Sequence, residues 1–179
     1  MNKYIVLLRG INVGGNNKLP MAELRTLLSD NGYKNVATYI QSGNILLYST
    51  NSAEKINEHI TLLIKQQFDY NIPVVTLTAE EIKKCFLENP YLKTEDNIKK
   101  LHVTFLKNTP KNGLVENLEI ISVNNDSYTI VGKTIYLHIP DDYHKTKFSN
   151  TQFEKKLNIQ ATTRNWRTTT KLYEMIIAL

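Results

Sequence analysis

The chain reads as an α+β protein. A ferredoxin-like β-α-β-β-α-β unit is expected over residues 1–78, and a second α+β subdomain over residues 79–179, packed with the first as one compact unit. Three observations predict this. Short apolar runs alternate with segments whose apolar residues recur every three or four positions. Two of those runs are joined by a tight Gly/Asn turn, the mark of a hairpin, and helix-length connections separate the others. The second half loosely repeats the strand–helix–strands–helix–strand order, so a second ferredoxin-like unit is one reading of it.

Lys3–Arg9 is the first strand, an apolar run suited to burial. Pro20–Asn31 is a helix: Met21, Leu24, Leu27 and Leu28 form its apolar stripe, and Gly32 can close it. Asn35–Ile40 is a strand, Gln41–Asn44 a turn, and Ile45–Tyr48 the returning strand. Asn51 or Ser52 caps the next helix, whose stripe is Ile56, Ile60, Leu63, Ile64 and Phe68; Asn71 suits its end. Ile72–Leu77 is the fourth strand. Right-handed crossovers make strands one and two point the same way. The loop after the first and the turn after the second then lie at the same end of the sheet, far apart in sequence but neighbours in space.

Thr78–Glu81 matches a capping box, so a helix runs to about Glu88 and stops before Pro90. Tyr91–Lys100 is charged and irregular, the natural hinge. Leu101–Leu106, Leu118–Val123, Tyr128–Val131 and Thr134–Ile139 read as strands, with a short helix or turn around Val115 and a turn at Asn124–Ser127. Ser149–Gln152 resembles another capping box, ahead of a helix through Phe153 and Leu157. Ile159–Thr163 is a last strand and Trp166–Ala178 a final helix.

Composition narrows the function classes. Hydrophobic residues make up 41% and charged residues 22% of 179 residues, as in ordinary globular proteins. No apolar run approaches the ~20 residues of a membrane span, and no signal-peptide pattern opens the chain. A cytoplasmic protein without membrane attachment is expected. The single cysteine, Cys85, excludes an internal disulfide, and no His or Cys spacing suits a metal, so neither metal nor cofactor is implied. Net charge is +5, with lysine far outnumbering arginine. Three of the four arginines, Arg9, Arg164 and Arg167, fall in the two most polar stretches.

The first of these is Leu8–Pro20, a strand–loop–helix joint rich in glycine and asparagine. It nearly has the glycine spacing of a P-loop. The lysine and hydroxyl that such a loop needs to hold phosphate and magnesium are here Asn16 and Asn17. What remains is a set of backbone donors before a helix, flanked by Arg9 and Lys18, which suits an anion or simply a tight turn. The second stretch is Ala161–Lys171. Its five threonines are poor helix formers. Arg164, Arg167 and Lys171 recur at helical spacing, and cations at a helix N-terminus oppose its dipole unless an anion is present.

These stretches also carry a resemblance. Leu8–Gly15, Pro20–Leu24, Thr38–Asn44 and Thr162–Trp166 with Lys171-Leu172 resemble the signatures of a bacterial domain-of-unknown-function family numbered 1697. The resemblance covers essentially the whole chain and implies a compact α+β protein with ferredoxin-like subdomains. It implies no activity and no catalytic residues. Asn16 departs from it, since a lysine is common there.

The leading expectation is an anion-binding protein, its ligand a phosphorylated metabolite, a nucleotide or a nucleic-acid backbone. Candidate contacts are Arg9, Asn12, Gly14, Gly15, Asn17 and Lys18 in the loop, Gln41, Ser42 and Asn44 in the turn, and Arg164, Asn165, Arg167 and Lys171 at the C-terminal helix. Two alternatives stand beside it. One is a small-molecule enzyme in the same cleft, with proton transfer by Ser42, Tyr39 or the Asp141–His144 loop. The other is an interaction module docking an acidic partner on the basic C-terminal helix. Oligomeric state is not encoded in any visible pattern.

Overall fold

The structure, a computed structural model, describes residues 1–15, 17–120, 122 and 125–179. These residues form two four-stranded antiparallel sheets and six α-helices. The chain divides into two compact units: residues 1–83 with 172–179, and residues 84–171.

In the first unit, β1 (Asn2–Leu8), β2 (Lys34–Tyr39), β3 (Asn44–Ser49) and β4 (Val74–Thr78) lie in the order β2-β3-β1-β4. β1 and β2 both run antiparallel to β3, so they share a direction. α1 (Met21–Asp30) and α2 (Ala53–Phe68) complete the ferredoxin-like unit. Its core joins Tyr4, Val6 and Leu8 of β1 to Leu24 and Leu28 of α1 and to Ile56, Ile60 and Ile64 of α2, the stripes that helical spacing marks out. Ser52 caps α2, accepting from Lys55 N at 3.4 Å. The helix ends earlier than Asn71, at Asp69 in the left-handed conformation (φ 58°). Residues 172–179 join this unit: Tyr48 Oη donates to Leu179 O (2.8 Å) and Lys3 Nζ to Ile176 O (3.4 Å).

The expected capping box starts α3 (Ala79–Leu87). Thr78 N donates to Glu81 Oε2 (2.9 Å), and Glu81 N returns to Thr78 Oγ1 (3.1 Å).

The second unit repeats the topology. β5 (Leu101–Leu106), β6 (Ser127–Val131), β7 (Thr134–His138) and β8 (Ala161–Asn165) lie in the order β6-β7-β5-β8, all antiparallel. α4 (Asn112–Glu116) and α5 (Asn150–Leu157) fill the helix positions, and α6 (Trp166–Ala178) follows β8 with no residue between. The expected strand at 118–123 is a correction. Residues 118–120 and 122 belong to no strand, whereas Ile121, Val123 and the first residue of the expected turn, Asn124, lie outside the described residues. β6 already fills the sheet position beside β7. The apolar residues here pack instead: Leu118 is buried in the second core, Ile120 lies against it, and Tyr128 Oη bonds Leu118 O (2.9 Å).

Residues 90–100 contain two single turns of 3-10 helix, Pro90–Lys93 and Ile98–Lys100. Glu95 ties the segment to the second sheet. Its carboxylate accepts from Asn97 N (2.8 Å), from Lys100 Nζ (3.0 Å) and, at 3.0 Å, meets Nε2 of His138 on β7. The Asn97 amide first, then His138 and Lys100, hold this carboxyl down at about 2. An acid whose folded pKa lies below its unfolded value of about 4.3 stabilises the fold above that pH and loses the contribution as pH falls toward the folded value. Glu95→Gln is therefore expected to be less stable than the parent at neutral pH, with the gap closing in acid. Urea midpoints of both proteins at neutral pH and at about pH 3 check this; a gap independent of pH would contradict it.

Candidate functional site

The loop after β1 and the turn after β2 meet, as the strand directions require. Asn12 sits in the left-handed region (φ 54°). Its Nδ2 donates to Leu19 O (3.0 Å) and Gln41 O (2.9 Å), and its Oδ1 accepts from Leu19 N (2.8 Å). Asn17 Nδ2 donates to Gly10 O (2.9 Å), and Asn12 N to Asn17 O (3.2 Å). Leu8 N donates to Gly43 O (2.8 Å). Buried Asn44 donates to Tyr39 O (3.1 Å) and Ser42 Oγ (2.9 Å). Of the residues expected to contact a ligand here, Asn12, Asn17, Ser42 and Asn44 thus engage their side chains in bracing the loop and turn. Gly14, Gly15, Lys18 and Gln41 are exposed, and Arg9 is half-buried. Ile40 takes φ 50° at 51% exposure, a conformation that β-branched residues rarely adopt.

The C-terminal stretch divides differently from the sequence expectation. β8 continues to Asn165, so residues 161–165 alternate across a sheet before the helical period begins. Arg164 pairs with Val103 and Asn165 with His102, which puts the two on opposite faces. Arg164 does not share a helix face with Arg167 and Lys171. It is buried at 9% exposure, donates to Thr162 Oγ1 (2.8 Å) and Thr163 O (2.9 Å), and burial pushes its guanidinium down to about 10. That is still high enough to keep it charged at neutral pH.

Three of the five threonines use their hydroxyls in internal hydrogen bonds, Thr162 to Arg164 among them. Thr163 Oγ1 bonds Thr104 Oγ1 (2.7 Å) and Asn150 Oδ1 (2.7 Å), and Thr169 Oγ1 bonds Asn165 O (3.1 Å). Asn165 caps α6, its Oδ1 accepting from Thr168 N at 2.8 Å. Trp166 is buried and stacks on Phe86 at 5.8 Å, which anchors the first turn.

Arg167, by contrast, is exposed and lines a cleft of ≈ 430 Å³ with Ile98, Lys99, His102 and Asn165. The topology builds this cleft. In an antiparallel pair the start of β5 lies beside the end of β8, so the turn entering β5 meets the helix leaving β8. His102 stacks on Tyr143 with centroids 4.3 Å apart and rings 19° from parallel. Burial, against a smaller opposing pull from the Lys100 backbone, pushes its imidazole down to about 4, so it is neutral at physiological pH. Its Nδ1 is buried and has no hydrogen-bond partner among the described residues. Lys99 and Arg167 are exposed and have no carboxylate within 4.0 Å among the described residues. The first turn of α6 carries no acidic residue. Two cations and a helix N-terminus therefore face one cleft without internal neutralisation, an arrangement that attracts anions. Lys171 is exposed on α6 but does not line it.

Sequence reasoning missed Ile98, Lys99 and His102. The signal was available: once the second half is taken as a split unit, its topology alone brings the start of the first strand to the end of the fourth. Two other groups weighed in the sequence have local roles. Asp142 Oδ1 accepts from His144 N (2.9 Å), and the buried Cys85 thiol is pushed up to about 12 by desolvation, which leaves it inert. Among the described residues no three His, Cys, Asp or Glu side chains cluster to hold a metal, and no helix is long and apolar enough to cross a membrane.

A family described as protein of unknown function, DUF1697, matches residues 1–136. The chain is similar over 99% of its length to a solved structure, a conserved bacterial protein from Streptococcus pneumoniae, at 28% identity and a TM-score of 0.73, with 99% of that chain covered. No curated protein matches.

Proposed function

This chain belongs to the DUF1697 family of proteins of unknown function, and we propose that it binds an anion, a phosphorylated metabolite, nucleotide or nucleic-acid backbone, in the cleft at the start of α6. One observation carries the reading: Lys99 and Arg167 line the same cleft beside a helix N-terminus, and among the described residues no carboxylate lines it. Arg167 lies in the first turn of α6, where a cation is unfavourable until an anion arrives. Asn165, fixed by its cap to Thr168 N, lines the cleft beside Lys99 and Arg167. Phosphate esters abound in the cytoplasm, the compartment that the lone cysteine favours. The exposed Gly14, Gly15 and Lys18 of the first unit offer further donors, considered by themselves.

Thermal unfolding across inorganic phosphate, pyrophosphate, mononucleotides, sugar phosphates and short DNA and RNA, each at low and high salt, tests the reading. A ligand at about 100 times its Kd stabilises by roughly 2.7 kcal/mol, and at roughly 2–4 °C per kcal/mol for a chain of this size the shift is several degrees. A salt-resistant shift with a small anion is the expected result. A shift confined to oligonucleotides and lost in salt points to diffuse backbone binding and overturns the cleft. No shift with any anion overturns the proposal altogether.

A further inference from the structure

Resting on that anion-binding reading, we infer that Asn97 and Glu95 are positioning residues of the cleft: they hold the turn that carries Lys99 in place before an anion arrives, so that binding does not have to order it. The inference comes from a likeness between the two walls. Arg167 stands two residues after Asn165, and Lys99 two residues after Asn97. Each asparagine turns its amide oxygen onto the backbone that follows. Asn165 Oδ1 accepts from Thr168 N at 2.8 Å, and Asn97 Oδ1 from Lys99 N at 3.2 Å. Both cations therefore leave a backbone that a side chain has pinned. The walls differ in length: one is a helix of 13 residues, the other a 3-10 turn of 3.

A single turn fixes several dihedrals for one hydrogen bond, so it needs support from outside itself. Glu95 supplies it. Its Oε1 accepts from Asn97 N (2.8 Å), and its Oε2 accepts from Lys100 Nζ (3.0 Å) and meets His138 Nε2 (3.0 Å). His138 belongs to β7 and pairs with Leu101, the residue that follows the turn. Lys100 N donates to Asn97 O (3.0 Å), and Ile139 N to Lys100 O (2.8 Å). A continuous set of bonds thus runs from the sheet through His138, Glu95 and Asn97 to the backbone of Lys99. The same carboxylate sorts two consecutive lysines. Lys100 is tied to Glu95, whereas Lys99 is exposed and lines the cleft. Neither Glu95 nor Asn97 lines the cleft, so both act through Lys99 rather than by touching the ligand. Without them the turn would be ordered only on binding, and the conformational entropy lost at that moment would lower affinity.

A double-mutant cycle, read by calorimetric titration of the full chain with inorganic pyrophosphate, tests this. Asn97→Ala and Glu95→Asp, which keeps the charge but shortens the reach, are each made in the parent and in Lys99→Ala. Asn97, Lys99 and Arg167 are exposed, so their substitutions should leave the fold intact. Lys99→Ala and Arg167→Ala are expected to weaken binding at least about 10-fold. Asn97→Ala and Glu95→Asp should each weaken it at least about 3-fold in the parent, and less than about 1.5-fold where Lys99 is already absent. Asn97→Ser, whose hydroxyl can accept the same N–H, should restore the affinity that Asn97→Ala loses. A merely structural role would lower affinity alike in both backgrounds. Equal losses in the two backgrounds, no loss in the parent while Lys99→Ala and Arg167→Ala weaken binding, or no rescue by Asn97→Ser each overturn the inference and leave the anion site standing. If pyrophosphate does not bind, or Lys99→Ala and Arg167→Ala bind it like the parent, the anion reading fails and this inference falls with it.

Discussion

Arg167→Glu is expected to weaken phosphate-ester binding at least about 30-fold and, in the same molecule, to raise the melting temperature. The two effects have separate causes. Arg167 is exposed and has no carboxylate within 4.0 Å among the described residues, so removing it breaks no internal ion pair. Losing its charge-assisted bonds to a bound phosphate costs about 1.5–3 kcal/mol, and a glutamate there adds repulsion; at 1.4 kcal/mol per decade that is one to two orders of magnitude or more. Meanwhile residue 167 lies in the first turn of α6, which has no acidic residue. A carboxylate there complements the helix dipole by roughly 0.3–1 kcal/mol, or about 0.6–4 °C for a chain of this length. Opposite movement of affinity and stability is the signature of a residue kept for a ligand at a cost to the fold. If both fall together, Arg167 is a structural residue; if affinity does not move, it is not part of the site.

Arg164 and Arg167 show where sequence reasoning succeeds and where it stops. Both stand out in the sequence, and both are placed on one helix face if the helical period is extended back through Arg164. The strand runs on to Asn165, so the period is two at Arg164 and about 3.6 at Arg167. That one boundary sends one guanidinium into the interior and the other to the cleft, and boundaries are what local propensity defines least well. The capping box at Thr78 and Glu81 is legible because its whole mechanism lies within four residues. So is the meeting of the glycine-rich loop with the Gln41–Asn44 turn, because chain direction follows from the order of elements. The expected strand misleads at residues 118–120, because Leu118 and Ile120 pack into the second core without pairing into the sheet. The roles of Ile98, Lys99 and His102 depend on sheet order in the second unit, which no local pattern carries.

Gly43→Ala is expected to cause the largest loss of stability among these substitutions, roughly 2–5 kcal/mol. Two costs add. Gly43 has φ 75°, where an L-residue loses about 1–2 kcal/mol. A Cβ built there would lie 2.7 Å from Leu8 Cβ, 3.0 Å from Ile11 Cδ1 and 3.2 Å from Leu8 O. Leu8 is fully buried in β1, and its N–H is bonded to Gly43 O at 2.8 Å, so strand and turn are held together and neither has room to retreat. Overpacking of this kind costs about 1–3 kcal/mol. Gly10→Ala separates the terms. Gly10 also has a positive φ, 68°, but an added Cβ there meets nothing within 4 Å, so it pays the backbone cost alone. Urea unfolding of the two variants beside the parent should show Gly43→Ala less stable than Gly10→Ala by at least about 1 kcal/mol. Equal losses would mean that the β1 loop and the β2 turn are not clamped by this contact, and that the hydrogen bonds of Asn12, Asn17 and Leu8 hold the glycine-rich loop in place.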